Sequence, residues 1–478
     1  MATGGMNDMG PAGAPDPGEH GCRIKQLEAI PSCAGRGRYR RFAVRGTEGG
    51  GDGSADETRA AGQQDPGCLA VHFGPLSTGA RRWNAIVLMA AMGRALVFPR
   101  WPGPVKMGRE FMRVLWICGS RIVGGAERVN IRLAELLRAC GHDIEVLCPT
   151  RSDLTAAAAA AGLQCHHGPL GRSADFRAAL TIRRLLRRGF DAALITTTDE
   201  WVWGSLGKLR GGPRLIMARY MALPLAKGVL WLARHRADAI VAISSAVRDT
   251  LLERGILEAA QIHVVPHPLT VEPRRHPPGE SERRAARAHL GLPPDGRWVG
   301  FFGGFSEAKG IGDVIEAIRT ASKIIGPIDL LVTDRGGCGE AKAWLGSLGD
   351  AGRVHVVGDL PYGRIPVAMT AVEAVVVATR SNVREASSLV LHEALALGTP
   401  GVAYATGGIP ELFGENGTSG LLATPDDPAA LAVQMVRVLS DGKLAERLAA
   451  AGIHRVSERC DVGKIIRSYE KLFAGSKP

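Results

Sequence analysis

The sequence predicts an α/β protein made of two successive doubly wound halves, each a parallel sheet covered by helices. Three observations carry that expectation. Short apolar runs alternate with segments of helical period from residue 112 onward. A glycine-containing turn joins the first apolar run to the first helix. The alternation breaks once, at a stretch rich in proline and charge, and then restarts. Parallel strands need a crossover connection, and helices supply it.

The elements follow in order. "MRVLWIC" (Met112–Cys118) is a short apolar run and reads as a buried strand. "GSRIVGGAE" is the turn after it. "ERVNIRLAELLRACGH" places Val129, Leu133, Leu136 and Leu137 at helical spacing and closes at Gly141. "DIEVLCP" is the next strand. The alanine run Ala156–Ala161 reads as a helix or its edge. His166 and His167 are adjacent and lack a third ligand nearby, so they read as surface loop rather than a metal site. "DAALIT", "RLIMARY" and "ADAIVAIS" are strands, "SAVRDTLLERG" a helix, and "QIHVVPHPL" ends the first half. "EPRRHPPGESERR" reads as the interdomain connection. The second half runs through "RWVGFFGG", "IDLLVT", "RVHVVG", "AVVVA" and "GVAYA" as strands. Its helices are "GIGDVIEAIRTA", "DPAALAVQMVRVLSD" and "KLAERLAAAG". This places one domain at 112–272 and a second at 285–459. A ligand belongs in the cleft between them, at the carboxyl ends of the strands.

Residues 1–111 differ in kind, being rich in Gly, Pro and Arg with little periodicity. Two readings stand: a disordered tail, or an upstream extension wrongly included, with translation starting at Met107 or Met112. Of the whole chain, 45% is hydrophobic and 22% charged, an ordinary globular balance. Nine cysteines occur without a CxxC pair, which reads as reduced thiols in a cytosol-like compartment. The net charge of +12 favours anionic partners such as phosphates or acidic lipid head groups. Nucleic acid is not expected, because no zinc-finger spacing, RNA-binding aromatic motif or basic helix accompanies the charge. The best apolar run, Trp83–Pro99, is too short for a membrane span and contains Arg94. The first twenty residues lack the apolar core of a signal peptide.

The chemistry concentrates in "REASSLVLHEALALGTPGVAYATGGIPE", where Glu385 and Glu393 stand eight residues apart. Ser387 or Ser388 is suited to cap a helix that Gly398 and Pro400 end. Apolar residues cover nearly every face, so the helix is expected to be buried, with Glu385 in the loop before it. Its free N-terminus offers unpaired N–H groups and a positive dipole end to an anion. Eight helical residues span about 12 Å. A nucleotide sugar fits such an arrangement: sugar at one carboxylate, diphosphate at the helix start, ribose at the other carboxylate. The bland alternative is that Glu393 caps buried turns while Glu385 is solvated.

With "GTP" and "TGGIPE" beside this block, the chain resembles the retaining glycosyltransferases of family 4, which have the GT-B architecture. "VGGAERV", "RADAIVAISSAVRDTLLERG", "FFGGFSEAKGIGDVIEAI" and "GTSGLLATPDDPAALA" support the resemblance by order and position. It covers about residues 112–474. It implies two Rossmann-like domains facing a cleft, an acceptor domain first and a nucleotide-sugar domain second. A C-terminal helix, 460–478, is expected to return to the first domain. It assigns sugar hydroxyls to Glu385, the nucleotide ribose to Glu393, and backbone N–H groups of Leu389 and Val390, beside Ser388, to the diphosphate. Gly124 and Gly125 are expected to approach the donor, as are Gly303 and Gly304. Lys309 is expected to pair with the diphosphate and stabilise the leaving nucleotide.

Three departures accompany the resemblance. The family carries arginine where Gly304 stands, so one of two cations is missing, with Arg335, Arg380 and Arg384 as candidates to replace it. Tyr220 stands where related sequences have histidine, and with Arg219 marks the acceptor side. His267 replaces an asparagine. The implied reaction is sugar transfer with retention, by front-face attack assisted by the leaving phosphate. No cofactor and no divalent metal are expected, and "PDDPAA" reads as a helix cap. The implied acceptor is a lipid-linked or polysaccharide molecule of cell-envelope or exopolysaccharide biosynthesis. The protein would then be cytoplasmic, with peripheral contact on the inner face of an anionic membrane as an option: Leu223–Asp238 is the amphipathic candidate for that contact, and its first reading is a packed helix with a basic solvent face. Two rival readings remain open: a degenerate transferase serving as partner subunit or nucleotide-sugar sensor, and a nucleotide-sugar epimerase.

Overall fold

The computed structural model describes residues 111–171, 175–303, 307–333, 347–358, 362–383, 385–414 and 417–475. Residues 1–110 of the N-terminal extension, Gly304, Arg335 and Arg384 lie outside the described residues.

Two parallel sheets form, their inner strands built from short apolar runs. The first contains β1 (Arg113–Ile117), β2 (Asp143–Pro149), β3 (Gln164–Gly168), β4 (Ala192–Ile195), β5 (Arg214–Arg219), β6 (Ala239–Ala242) and β7 (Ile262–Val264). Its order is β3-β2-β1-β4-β5-β6-β7, and every neighbouring pair is parallel. The second contains β8 (Arg297–Phe301), β9 (Ile328–Thr333), β10 (Val354–Val357), β11 (Ala374–Val377), β12 (Gly401–Tyr404) and β13 (Leu421–Ala423). Its order, β10-β9-β8-β11-β12-β13, is again parallel throughout. Strands such as β4, β6, β11 and β12 are buried along their whole length, as expected where helices cover both faces. Strand order reverses between β1 and β4 and between β8 and β11, which opens a crevice at each reversal.

Two strands depart from the sequence expectation. His166 and His167 do not sit in a surface loop; they form part of β3, in register with Leu147 and Cys148 of β2. His166 Nε2 lies 2.5 Å from Glu145 Oε2. β3 is an edge strand and only partly buried, so its residues need no apolar run, and the periodicity that betrays inner strands is missing. The three-residue β13 is a second edge strand that sequence reading passes over.

The last helix, Val462–Ala474, crosses to the first sheet. Its buried face carries Ile465, Ile466, Tyr469, Leu472 and Phe473 at helical spacing. His142 Nε2 meets Glu470 Oε1 at 3.1 Å, and Arg214 Nε donates to the Leu472 carbonyl at 2.9 Å. Asp427 caps the helix Pro428–Ser440 by accepting from Ala430 N at 3.0 Å, so "PDDPAA" does serve as a cap.

Candidate active site

The opening of the second half's central helix, Leu389–Ala396, sets the site. Ser388 is its N-cap, accepting from Leu391 N at 3.4 Å, and Gly398 ends it in the left-handed region. Glu393 is only 2% exposed. A carboxylate at that depth needs donors, and Thr270 supplies one, its hydroxyl meeting Glu393 Oε1 at 2.5 Å.

Glu385 lies in the loop before the cap. Its carbonyl accepts from Gly408 N at 2.7 Å. Gly407 sits beneath it at φ +54°, where an added Cβ would stand 1.8 Å from that same carbonyl. Both the backbone angle and the space therefore require glycine, which gives the "TGGIPE" segment a physical reason to lie close to Glu385 in space. The Glu385 carboxylate receives two donors at Oε2: Thr379 Oγ1 at 2.8 Å and Lys309 Nζ at 2.8 Å. Lys309 is placed by a short helical turn, Glu307–Lys309. The following Gly310 packs against the Ala378 carbonyl, where a Cβ would stand 2.1 Å away.

These groups line a cavity of about 310 Å³. The second half contributes Lys309, Glu385, Ser388 and Glu393, with Leu389 and Val390 at the helix start and Gly303 at the exit of β8. The first half contributes Gly125 after β1 and Tyr220 after β5. The cavity thus opens at the carboxyl ends of both sheets. Gly124 and Arg219 do not line it. Gly124 is the N-cap of the helix Gly125–Ala139, its N–H donating to Glu127 Oε2 at 2.9 Å. Arg219 is buried and turned aside, donating to Thr198 Oγ1 at 2.6 Å and to the Leu223 carbonyl at 3.0 Å. Burial pushes its guanidinium down to about 10. Tyr220 donates to Asn130 Oδ1 at 2.7 Å, and burial pushes its phenol well up.

Of the arginines proposed to replace the missing cation, Arg380 is committed elsewhere. It donates to Asp313 Oδ1 at 2.6 Å, and Asp313 also accepts from Tyr404 Oη at 3.0 Å.

Sequence reasoning missed Thr379 and Thr270 as hydrogen-bond partners of the two glutamates. Thr270 is 123 residues from Glu393 in the chain, and no local pattern announces such a pairing. His267 stands where the family pattern has asparagine. It lines the cavity, with Nε2 3.4 Å from Ser387 Oγ and its ring 4.4 Å from that of His392. Burial pushes His267 down to about 4 and His392 well below its ordinary value, so both rings are neutral at pH 7.

The first half also grips this loop directly. Ser244 Oγ donates to the Ala386 carbonyl at 2.6 Å. Ser245 N, at the start of the helix Ser245–Leu252, donates to Glu411 Oε2 at 2.8 Å, and Arg459 Nη2 donates to Glu411 Oε1 at 2.5 Å. Among the described residues the cavity is lined by the ammonium of Lys309, a helix N-terminus and the carboxylates of Glu385 and Glu393. That set suits a ligand with anionic and hydroxyl-bearing parts. Among the described residues, no group of three or more His, Cys, Asp or Glu side chains is placed to hold a metal ion.

Comparison with known proteins gives a consistent result. Residues 282–455 match the glycosyl transferases group 1 family, and residues 123–272 match glycosyltransferase family 4. The 2-deoxystreptamine glucosyltransferase of Streptomyces kanamyceticus is 31% identical over 288 residues, covering 55% of this chain and 72% of that protein. The phosphatidyl-myo-inositol mannosyltransferase of Mycobacterium leprae is 26% identical over 388 residues, covering 77% of this chain and 99% of that protein. Among solved structures, Anabaena HepE in complex with UDP-glucose superposes with a TM-score of 0.64 at 22% identity, covering 76% of this chain and 99% of that one.

Proposed function

Because this chain belongs to glycosyltransferase family 4 and has the two-lobed GT-B architecture, we propose that it moves a sugar from a nucleotide-sugar donor to an acceptor hydroxyl with retention of anomeric configuration. One observation carries this reading. Lys309, Glu385, the free start of the helix Leu389–Ala396 and Glu393 line a single cavity, and the helix start falls between the two glutamates in the chain. Glu385 takes sugar hydroxyls, the N–H groups of Leu389 and Val390 take the diphosphate, and Glu393 takes the ribose. HepE, with the same fold, was crystallised with UDP-glucose.

The chemistry is front-face attack, with the leaving phosphate accepting the acceptor's proton. Lys309 neutralises charge that develops on the departing nucleotide. Glu385 serves as a hydroxyl ligand and not as a covalent nucleophile, because its eight-residue separation from Glu393 is wider than the roughly 5–5.5 Å carboxylate pair of a double-displacement site; Thr379 and Lys309 hold its Oε2. No divalent metal takes part.

The acceptor in this reading is lipid-linked or a growing glycan of the cell envelope or an exopolysaccharide, met at the inner face of the cytoplasmic membrane. Three things support it: the net charge of +12, the lipid named in the mycobacterial relative, and the helix Lys227–Arg236. That helix leaves Trp231 57% exposed beside Arg234, His235 and Arg236, a composition suited to an anionic interface. Among the described residues no helix is long and apolar enough to cross a membrane.

The test is nucleotide release from a panel of nucleotide sugars, with and without membrane extract, followed by NMR of the product's anomeric centre. Release that disappears in Glu393→Ala and Lys309→Ala supports the transferase. Binding without turnover favours the sensor, and an epimerised donor favours the epimerase. Turnover on a soluble acceptor alone removes the membrane from the picture.

A further inference from the structure

The chain that leaves the first sheet does not simply bridge to the second. From His267 to Pro278 it follows the helix Leu389–Ala396 along its whole length. His267 stands beside Ser387 and the His392 ring. Thr270 reaches Glu393 at 2.5 Å. Arg274 N donates to the Ala396 carbonyl at 2.8 Å. Pro277 and Pro278 close over Gly398, where a Cβ would lie 2.8 Å from Pro277 Cα.

We propose that Thr270 is a positioning residue of the donor site, holding the Glu393 carboxylate in the orientation that receives the nucleotide ribose. The proposal rests on the reading of Glu393 given above and adds a residue to it. Thr270 is 3% exposed and does not line the cavity, so it acts through Glu393 and not on the donor. A carboxylate that binds two vicinal hydroxyls must present its lone pairs in a set direction, and a short hydrogen bond to one oxygen restricts its rotation. The bond also makes the connector part of the site: whatever displaces the connector relative to the helix displaces the ribose ligand.

The test uses the full chain and the tightest binder among UDP, GDP and ADP, compared by calorimetry with its 2′-deoxy counterpart. In the native protein the ribonucleotide is expected to bind about tenfold or more tightly than the deoxynucleotide, as for one hydrogen bond to a charged group. Glu393→Gln is expected to bring that ratio close to one. Thr270→Val keeps the shape of the side chain, removes the donor, and is expected to lower the ratio several-fold. Thr270→Ser is expected to restore it. A purely structural role for Thr270 would change thermal stability and leave the ratio alone. A ratio lost in Glu393→Gln but kept in Thr270→Val overturns the role of Thr270 only. A ratio kept in Glu393→Gln overturns the ribose assignment and this proposal with it, as does failure of the native protein to bind any of the three nucleotides.

Discussion

Lys309 and Glu385 form an ion pair 2.8 Å long at the wall of the cavity, with the lysine 39% exposed and the glutamate 16%. The pair keeps a cation pointed at the site before any anion arrives. In the proposed donor site a diphosphate would share that ammonium with Glu385, which would couple the sugar end and the phosphate end of the donor through one side chain.

Lys309→Ala should therefore act on the rate far more than on folding. Removing a cation at developing charge costs about 2–4 kcal/mol of transition-state stabilisation, or roughly 30- to 1000-fold in kcat/KM. Nucleotide release under saturating and subsaturating donor measures it. An exposed lysine contributes little to stability, so the melting temperature should stay close to native. A variant with unchanged kcat/KM would remove Lys309 from the mechanism.

Gly407→Ala should damage the site from below. The new methyl group meets the Glu385 carbonyl at 1.8 Å, at a φ of +54°. The left-handed backbone costs about 1–2 kcal/mol for a residue with a Cβ, and overpacking adds about 1–3 kcal/mol. Thermal unfolding should show the loss, and nucleotide release should fall because Glu385 must shift. Retained activity at native stability would mean that the loop relaxes freely and that Glu385 needs no fixed position.

These relationships show where sequence reading reaches and where it stops. The helix Leu389–Ala396 is legible because its signals are local: serine before it, glycine and proline after it, apolar residues on all sides. The parallel order follows from strand–helix alternation for the same reason. The edge strand β3 escapes because His166 and His167 face a partner strand on one side only, and apolar periodicity fades there. The partners of the two glutamates escape for a different reason. Thr270, Lys309 and Gly407 reach them across 123, 76 and 22 positions of chain, distances at which spacing carries no information. The motif locates the carboxylates; only the folded chain shows what holds them.

Chelation provides a third expectation. If Lys309 and the helix N-terminus carry the diphosphate charge, nucleotide release should continue at its full rate in millimolar EDTA. Loss of activity that returns with Mg²⁺ or Mn²⁺ would show that a metal shares the leaving-group role and that the missing arginine is replaced by an ion.

Acid should weaken the fold through the histidine pair. The His267 ring is buried against His392, 4.4 Å between centroids. Burial takes His267 down to about 4, and burial together with His267 displaces His392 in the same direction. The positive charge of Arg459 further disfavours protonation of both rings. Histidine in an unfolded chain titrates near 6.5, at about 1.4 kcal/mol per pH unit of difference. Above that pH both states are neutral and the pair has no effect. Between about 6.5 and 4 the unfolded chain binds more protons, so stability falls as pH falls, by on the order of 3 kcal/mol for His267 alone. His267→Asn, the residue of the family pattern, removes this contribution. The drop in melting temperature from pH 7.5 to pH 5 should be several degrees smaller in that variant than in the native protein. The carboxylates that titrate in the same range are common to both chains and cancel in the comparison. Equal drops would mean that His267 is protonated in the folded state and that the ring is not sealed from water.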